Sequence, residues 1–141
     1  MHVLVAVDES EPSWQALDHA LETFTDADIT AIHVVDPVEL VYGDAEGGYF
    51  DQSIFDSAMG AGETLLERAS ERAADVGRAD ALETVLETGQ PSREIVDFAA
   101  ENDVDHVVIG SHGRSGVARV LLGSVAESVA RRADVPVTIV R

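Results

Sequence analysis

The chain contains no lysine and no cysteine. Its nine strongly basic side chains are all arginine, set against 27 aspartates and glutamates for a formal net charge of -18. Without cysteine there are no disulfides, no thiolate zinc sites and no cysteine nucleophile. Without lysine there is no Walker A phosphate loop, whose G-K-[ST] step needs that residue, and no Schiff-base chemistry. So few cations cannot readily assemble the basic face that general nucleic-acid binding requires. No apolar run approaches the roughly 20 residues of a bilayer-spanning helix, and the opening M-H-V-L-V-A-V-D lacks the basic region of a secretory signal. These absences lead to the expectation of a cytoplasmic protein that engages neither membrane nor nucleic acid.

What the chain does have is apolar material, 45% of its 141 residues, enough for one core and one domain over 1–141. Acid excess at that hydrophobic content is not the signature of disorder. Together with the missing lysine it suggests a surface adapted to high salt, a halophilic trait.

Short apolar runs alternate with helical periods. Val3–Val7 is a continuous apolar run, the pattern of a strand covered on both faces, with Asp8 at its end. Ser10 can cap the following helix, Pro12 fits its first turn, and Trp14, Leu17, Leu21 and Phe24 recur at helical spacing. Ile29–Val35 is a second strand, stopped at Asp36-Pro37. The span 36–52, with glycines at 43, 47 and 48, reads as a long loop. Phe55 to Val76 marks a long amphipathic helix with Arg68 and Arg72 on its solvated face, ended at Gly77. A more polar third strand, Ala81–Glu87, suits a sheet edge. A short helix from Pro91, a fourth strand over Val104–Ile109, a helix over Ser124–Arg132 and a last strand over Val135–Val140 complete the order. The alternation predicts an α/β fold: three layers, with an open, twisted, five-stranded parallel sheet between helices on both faces. Ligands in such folds sit beyond the C-terminal strand ends, where Asp8, Asp36 and Gly110 all fall.

The stretch from Val107 to Ser128 concentrates the chemistry. An apolar strand runs into glycines at 110, 113 and 116, and Gly123-Ser124 opens a helix. Glycine permits positive φ and close backbone approach, and a helix N-terminus adds unpaired amides, so the stretch reads as a phosphate cradle. The spacing fits neither G-x-G-x-x-G nor Walker A. Ser124 and Glu127 also match a capping box, which needs no ligand. Arg114 and Arg119 can fork onto phosphate or pair with surface acids. His112 reads as structural within the loop, and His33 as a strand histidine packed under a helix. The five histidines show no metal-ligand grouping.

The spacing G-x2-G-x9-G-[ST], filled by Gly110, Gly113, Gly123 and Ser124, resembles the nucleotide-binding branch of the universal stress proteins. The resemblance extends to V-A-V-D-E-S after the first strand, H-V-V-D at the end of the second, and P-V-T-I-V at the chain end. It implies a Rossmann-like sheet of order 3-2-1-4-5, of the adenine nucleotide alpha hydrolase-like type. It also implies an ATP site: adenine against Ala6, Val7, Val34 and Ile109, Asp8 toward ribose or base, and Gly110, Gly113, Gly123, Ser124 and Val125 around ribose and phosphates. Arg114 joins these as a phosphate partner. Mg2+ or Mn2+ would ride on the ATP phosphates rather than in a protein cage. A homodimer through the last strand, with Val137, Ile139 and Val140 buried against a second copy, is implied as well. The function expected is that of a nucleotide-dependent stress regulator or sensor acting on an unidentified protein partner. A slow ATPase and a nucleotide-free interaction module are the alternatives, and catalysis is disfavoured because no general base stands beside the cradle.

Overall fold

The structure, a computed structural model, describes residues 1–42, 52–112 and 122–141. Five strands, β1 (His2–Ala6), β2 (Asp28–Val35), β3 (Leu82–Thr88), β4 (His106–Gly110) and β5 (Val137–Val140), form one parallel sheet of order β3-β2-β1-β4-β5. The helices are α1 (Glu11–Thr23), α2 (Pro37–Tyr42), α3 (Gln52–Asp75), α4 (Pro91–Glu101) and α5 (Ser124–Arg132). The period-2 alternation of each strand divides the core into two layers. Val3, Val5 and Val7 of β1 face α1 and α3, joining Trp14, Leu17, Leu65 and Ala69. Leu4 and Ile32 face α4 and α5, joining Ile95, Val107, Ile109 and Val129. The polar β3 takes the sheet edge that its composition predicts.

Helix starts follow the sequence signals in two cases. Ser10 caps α1 by accepting the Ser13 N–H, with Pro12 in the first turn, and α4 begins at Pro91. Elsewhere the structure corrects the sequence reading. The loop expected over 36–52 is shortened from both ends, because α2 fills 37–42 and α3 begins at Gln52. Asp36 makes α2 possible, its Oδ1 accepting the N–H groups of Val38 and Glu39 at 2.9 and 3.4 Å. The remainder of that expected loop, 43–51, lies outside the described residues. β4 starts at His106 rather than Val104, since Asp103 turns left-handed at φ 52 and the Val104 N–H closes back on Ala99 O. β5 starts at Val137 rather than Val135, the Pro136 carbonyl serving to accept the Val107 N–H.

Two arginines expected in solvent are engaged. The guanidinium groups of Arg68 and Arg72 lie 4.9 and 5.1 Å from the Trp14 ring centroid, and Arg72 also pairs with Asp18 at 2.9 Å. Arg78, past the end of α3, donates to the carbonyls of Leu21, Phe24 and Ala27. It thereby closes the C-terminal turn of α1 onto α3.

Candidate functional site

The strand order reverses direction between β1 and β4, so the loops after these two strands part and leave a crevice at the C-terminal rim. A cavity of about 890 Å3 occupies it. Its walls include Val7 and Asp8 after β1, Ala6, Val34 and Ile109 from the sheet, and Gly110 below them. Gly123, Ser124 and Val125 border it at the start of α5. Nine of the eleven site residues read from the sequence thus meet around one cavity. The other two, Gly113 and Arg114, lie outside the described residues, as does Arg119.

The turn after β1 is pinned at each step. The Asp8 N–H donates to Ser13 Oγ and the Ser13 hydroxyl donates to the Asp8 carbonyl, both at 2.9 Å, while Asp8 Oδ1 accepts the Ser10 N–H at 2.7 Å. Asp8 therefore acts as a turn acid while bordering the cavity. Ser13 is buried, and sequence reasoning gave it no role.

Gly110 and Gly123 have packing reasons of their own. A Cβ on Gly110 would stand 2.8 Å from the Pro12 carbonyl carbon and 2.9 Å from Ser13 N, so the first turn of α1 needs a glycine beneath it. A Cβ on Gly123 would stand 2.9 Å from His112 Cα, where the two backbones close with the Gly123 N–H donating to Ser111 O at 2.7 Å. These glycines are required whether or not an anion approaches. His112 borders the cavity as well; its carbonyl accepts from Ser10 Oγ at 3.4 Å and its Nδ1 lies 3.3 Å from Ser111 Oγ.

The capping box read at Ser124 and Glu127 does not form. Gly123 is the N-cap of α5 and makes no side-chain cap, Ser124 is the first helical residue, and the Glu127 N–H bonds the Gly123 carbonyl at 2.9 Å. The Glu127 carboxylate pairs with Arg131 at 2.9 Å instead. α5 therefore presents its first amides without a side chain across them, at the edge of the cavity.

Asp8, Glu9, Asp36 and Glu39 also border the cavity, and no arginine is among its described lining residues. No group of three histidine or carboxylate side chains among the described residues is placed to hold a metal ion. A cation here would need ligands from a bound molecule. Two contributions escaped the sequence reading: Pro91 and Ile95 of α4 on one side, and Ile54, Ala58 and Ala61 of α3 on the other. The helical period of α3 carries these apolar residues, but nothing in the period distinguishes a cavity wall from a core face.

Comparisons with known proteins agree with this architecture. The sequence profile of the universal stress protein family matches residues 1–141. Universal stress protein MJ0531 of Methanocaldococcus jannaschii is 34% identical over 141 residues, covering 99% of this chain and 81% of its own. The solved structure of MJ0577, from the same organism, superposes with a TM-score of 0.82 at 28% identity, covering 99% of this chain and 94% of that one. A universal stress protein in complex with cAMP gives a TM-score of 0.68 at 29% identity over 100% and 96% of the two chains. One from Archaeoglobus fulgidus in complex with dAMP gives 0.71 at 26% over 100% and 98%. Through its sequence profile, its 3-2-1-4-5 sheet and its rim cavity, the chain belongs to the universal stress protein family.

Proposed function

We propose that the rim cavity binds ATP and that the protein is a nucleotide-dependent regulator. The observation that carries this reading is the uncapped N-terminus of α5 at the cavity edge, a ready set of amides for phosphate oxygens. The adenine then lies against Ala6, Val7, Val34 and Ile109, Asp8 takes a ribose or base donor, and Gly110, Gly123, Ser124 and Val125 flank the phosphates. The residues present fit such a group: an apolar slot, the Asp8 carboxylate for ribose or base and the first amides of α5, in a cavity within the size range of about 300–1,000 Å3 usual for small-molecule sites. Mg2+ or Mn2+ would neutralise phosphate charge beside Asp8 and Glu9; Gly113, from the sequence motif, and the neighbouring Arg114, as a phosphate partner, complete the set. The related proteins in complex with cAMP and dAMP support an adenine ligand in this family.

Binding energy gained in one arrangement of the rim and not in another shifts the population of a surface that a protein partner reads. The exposed edge of β5 joins two copies into a homodimer, and the cytoplasm is its place of action. Equilibrium binding of labelled ATP with Mg2+ tests the core of the reading. Saturable binding is expected. Asp8→Asn, which keeps an acceptor for the Ser10 N–H, should weaken it about tenfold or more through loss of a charged hydrogen bond. A melting temperature and a binding isotherm both indifferent to ATP in low and high salt would leave a nucleotide-free module instead.

A further inference from the structure

The cavity passes over the rim of the sheet and has a part on each face. Ala6, Val34, Ile109 and Val125 belong to the α4/α5 face, where the nucleotide is proposed to sit. The other part lies on the α3 face, between Val7 and His33 of the sheet side, Leu40 of α2, and Ile54, Ala58 and Ala61 of α3. Ile54, Ala58, Ala61 and Leu65 follow one helical stripe. Its C-terminal half, from Leu65 through Ala69 to Ala73, is buried on the sheet, whereas Ile54 is 41% exposed. The apolar stripe of α3 therefore continues past the strand ends and becomes a cavity wall.

One polar ring stands in this apolar lobe. His33 Nδ1 lies 2.8 Å from the Val7 carbonyl oxygen. A carbonyl only accepts, so Nδ1 carries the hydrogen, and the neutral ring keeps its lone pair at Nε2. Among the described residues no hydrogen bond reaches Nε2, and no buried side-chain nitrogen or oxygen lacks a partner. Nε2 is therefore open to the cavity rather than sealed. Gly62 keeps the ring edge clear, since a Cβ there would stand 2.9 Å from Cδ2 and 3.6 Å from Nε2. Asp36 and Glu39, at the α2 end of the cavity and away from the α5 amides, disfavour an anion in this lobe.

We propose that the α3 lobe is a second ligand site, taking a neutral, mostly apolar small molecule whose single N–H or O–H donates to His33 Nε2. An indole or a phenol has this chemistry: a flat apolar body for the Ile54–Ala58–Ala61 wall and one donor for the imidazole. The site meets the nucleotide lobe at Val7 but lies on the other face of the sheet, and it does not depend on ATP being the ligand there.

Indole is the probe. In full-length protein with 15N-labelled histidine, assigned through His33→Gln, titration with indole shifts the His33 Nε2 resonance saturably, with or without ATP and Mg2+. 1-Methylindole, which lacks the donor, binds about tenfold more weakly, the worth of one hydrogen bond. Ala58→Phe, which fills the lobe, weakens indole at least tenfold and leaves the melting temperature within a few degrees; Ala61→Leu serves the same purpose should the larger ring prevent folding. Absence of a saturable shift up to the solubility of indole overturns the proposal. Equal binding of indole and 1-methylindole removes His33 from it, and displacement of indole by ATP shows one site rather than two. Both results count against it.

Discussion

Gly110 and Ser13 are held so close that a single methyl on the glycine would stand 2.9 Å from the serine nitrogen. The end of β4 and the first turn of α1 are in backbone contact, and the Asp8 turn is fixed between them by the two Ser13 hydrogen bonds. Strand, turn and helix at the cavity are therefore packed backbone to backbone.

Gly110→Ala forces backbone against backbone and should destabilise by about 1–3 kcal/mol, the usual cost of overpacking. Thermal melting should show a drop of roughly 4 °C per kcal/mol. Gly60→Ala is the control. It lies in α3 with open space where a Cβ would go, and should stabilise by about 0.5–1 kcal/mol. Equal effects at the two positions would refute the packing argument.

Arg78→Ala removes donors from three carbonyls at and just beyond the end of α1, those of Leu21, Phe24 and Ala27. A loss of about 1.5–3 kcal/mol is expected, since these are hydrogen bonds from a charged group. Hydrogen exchange should quicken first at the C-terminal turn of α1. Arg93→Ala, on the exposed face of α4, should change little.

His106 titrates below the ordinary histidine value of 6.5, chiefly because burial disfavours its charged form and secondarily because His19 is near. It packs 4.9 Å from the Phe24 ring and its Nε2 lies 2.6 Å from Thr138 Oγ1. As pH falls from the unfolded value toward the lower folded one, the unfolded chain takes up a proton that the folded chain refuses. Stability is thus lost across that window and is unaffected by this group above it. Denaturant titrations between pH 7.5 and 5 should show a smaller acid loss in His106→Gln than in the parent, and parallel curves would contradict the assignment.

The net charge of -18 predicts a gain in stability with salt. Raising KCl from 0.1 to 2 M shortens the screening length from about 10 Å to below 3 Å and relieves self-repulsion. The urea midpoint should rise over this range. A flat or falling midpoint would remove the halophilic reading.

The sheet was legible because buried parallel strands are written as continuous apolar runs. Val3–Val7 and Ile29–Val35 need no other interpretation, and His33 within the second run is packed against Gly62 of α3 as its setting implied. What was illegible depended on three-dimensional competition. S-x-x-E at Ser124 matches a capping box, yet the backbone bond from Gly123 to Ser111 draws Gly123 into the cap position and frees Glu127 for Arg131. Asp36-Pro37 reads equally well as a strand stop or a helix start, and in the fold it is both. The packing reason for the glycine at 110 was illegible because sequence cannot reveal that Pro12 and Ser13 lie over it.

The position of β1 in the middle of the sheet also bears on the order of assembly. Its pairing with β2 links residues about 26 apart, whereas its pairing with β4 joins Val3 to His106, across most of the chain. Closing that larger loop costs more entropy and brings late, non-local contacts. The β1–β4 seam, along which the rim cavity opens, is then the natural last step of folding and first step of unfolding. A ligand gripping Asp8 on one side and Ser124 on the other acts as a clasp on that seam. It should slow unfolding far more than it speeds folding.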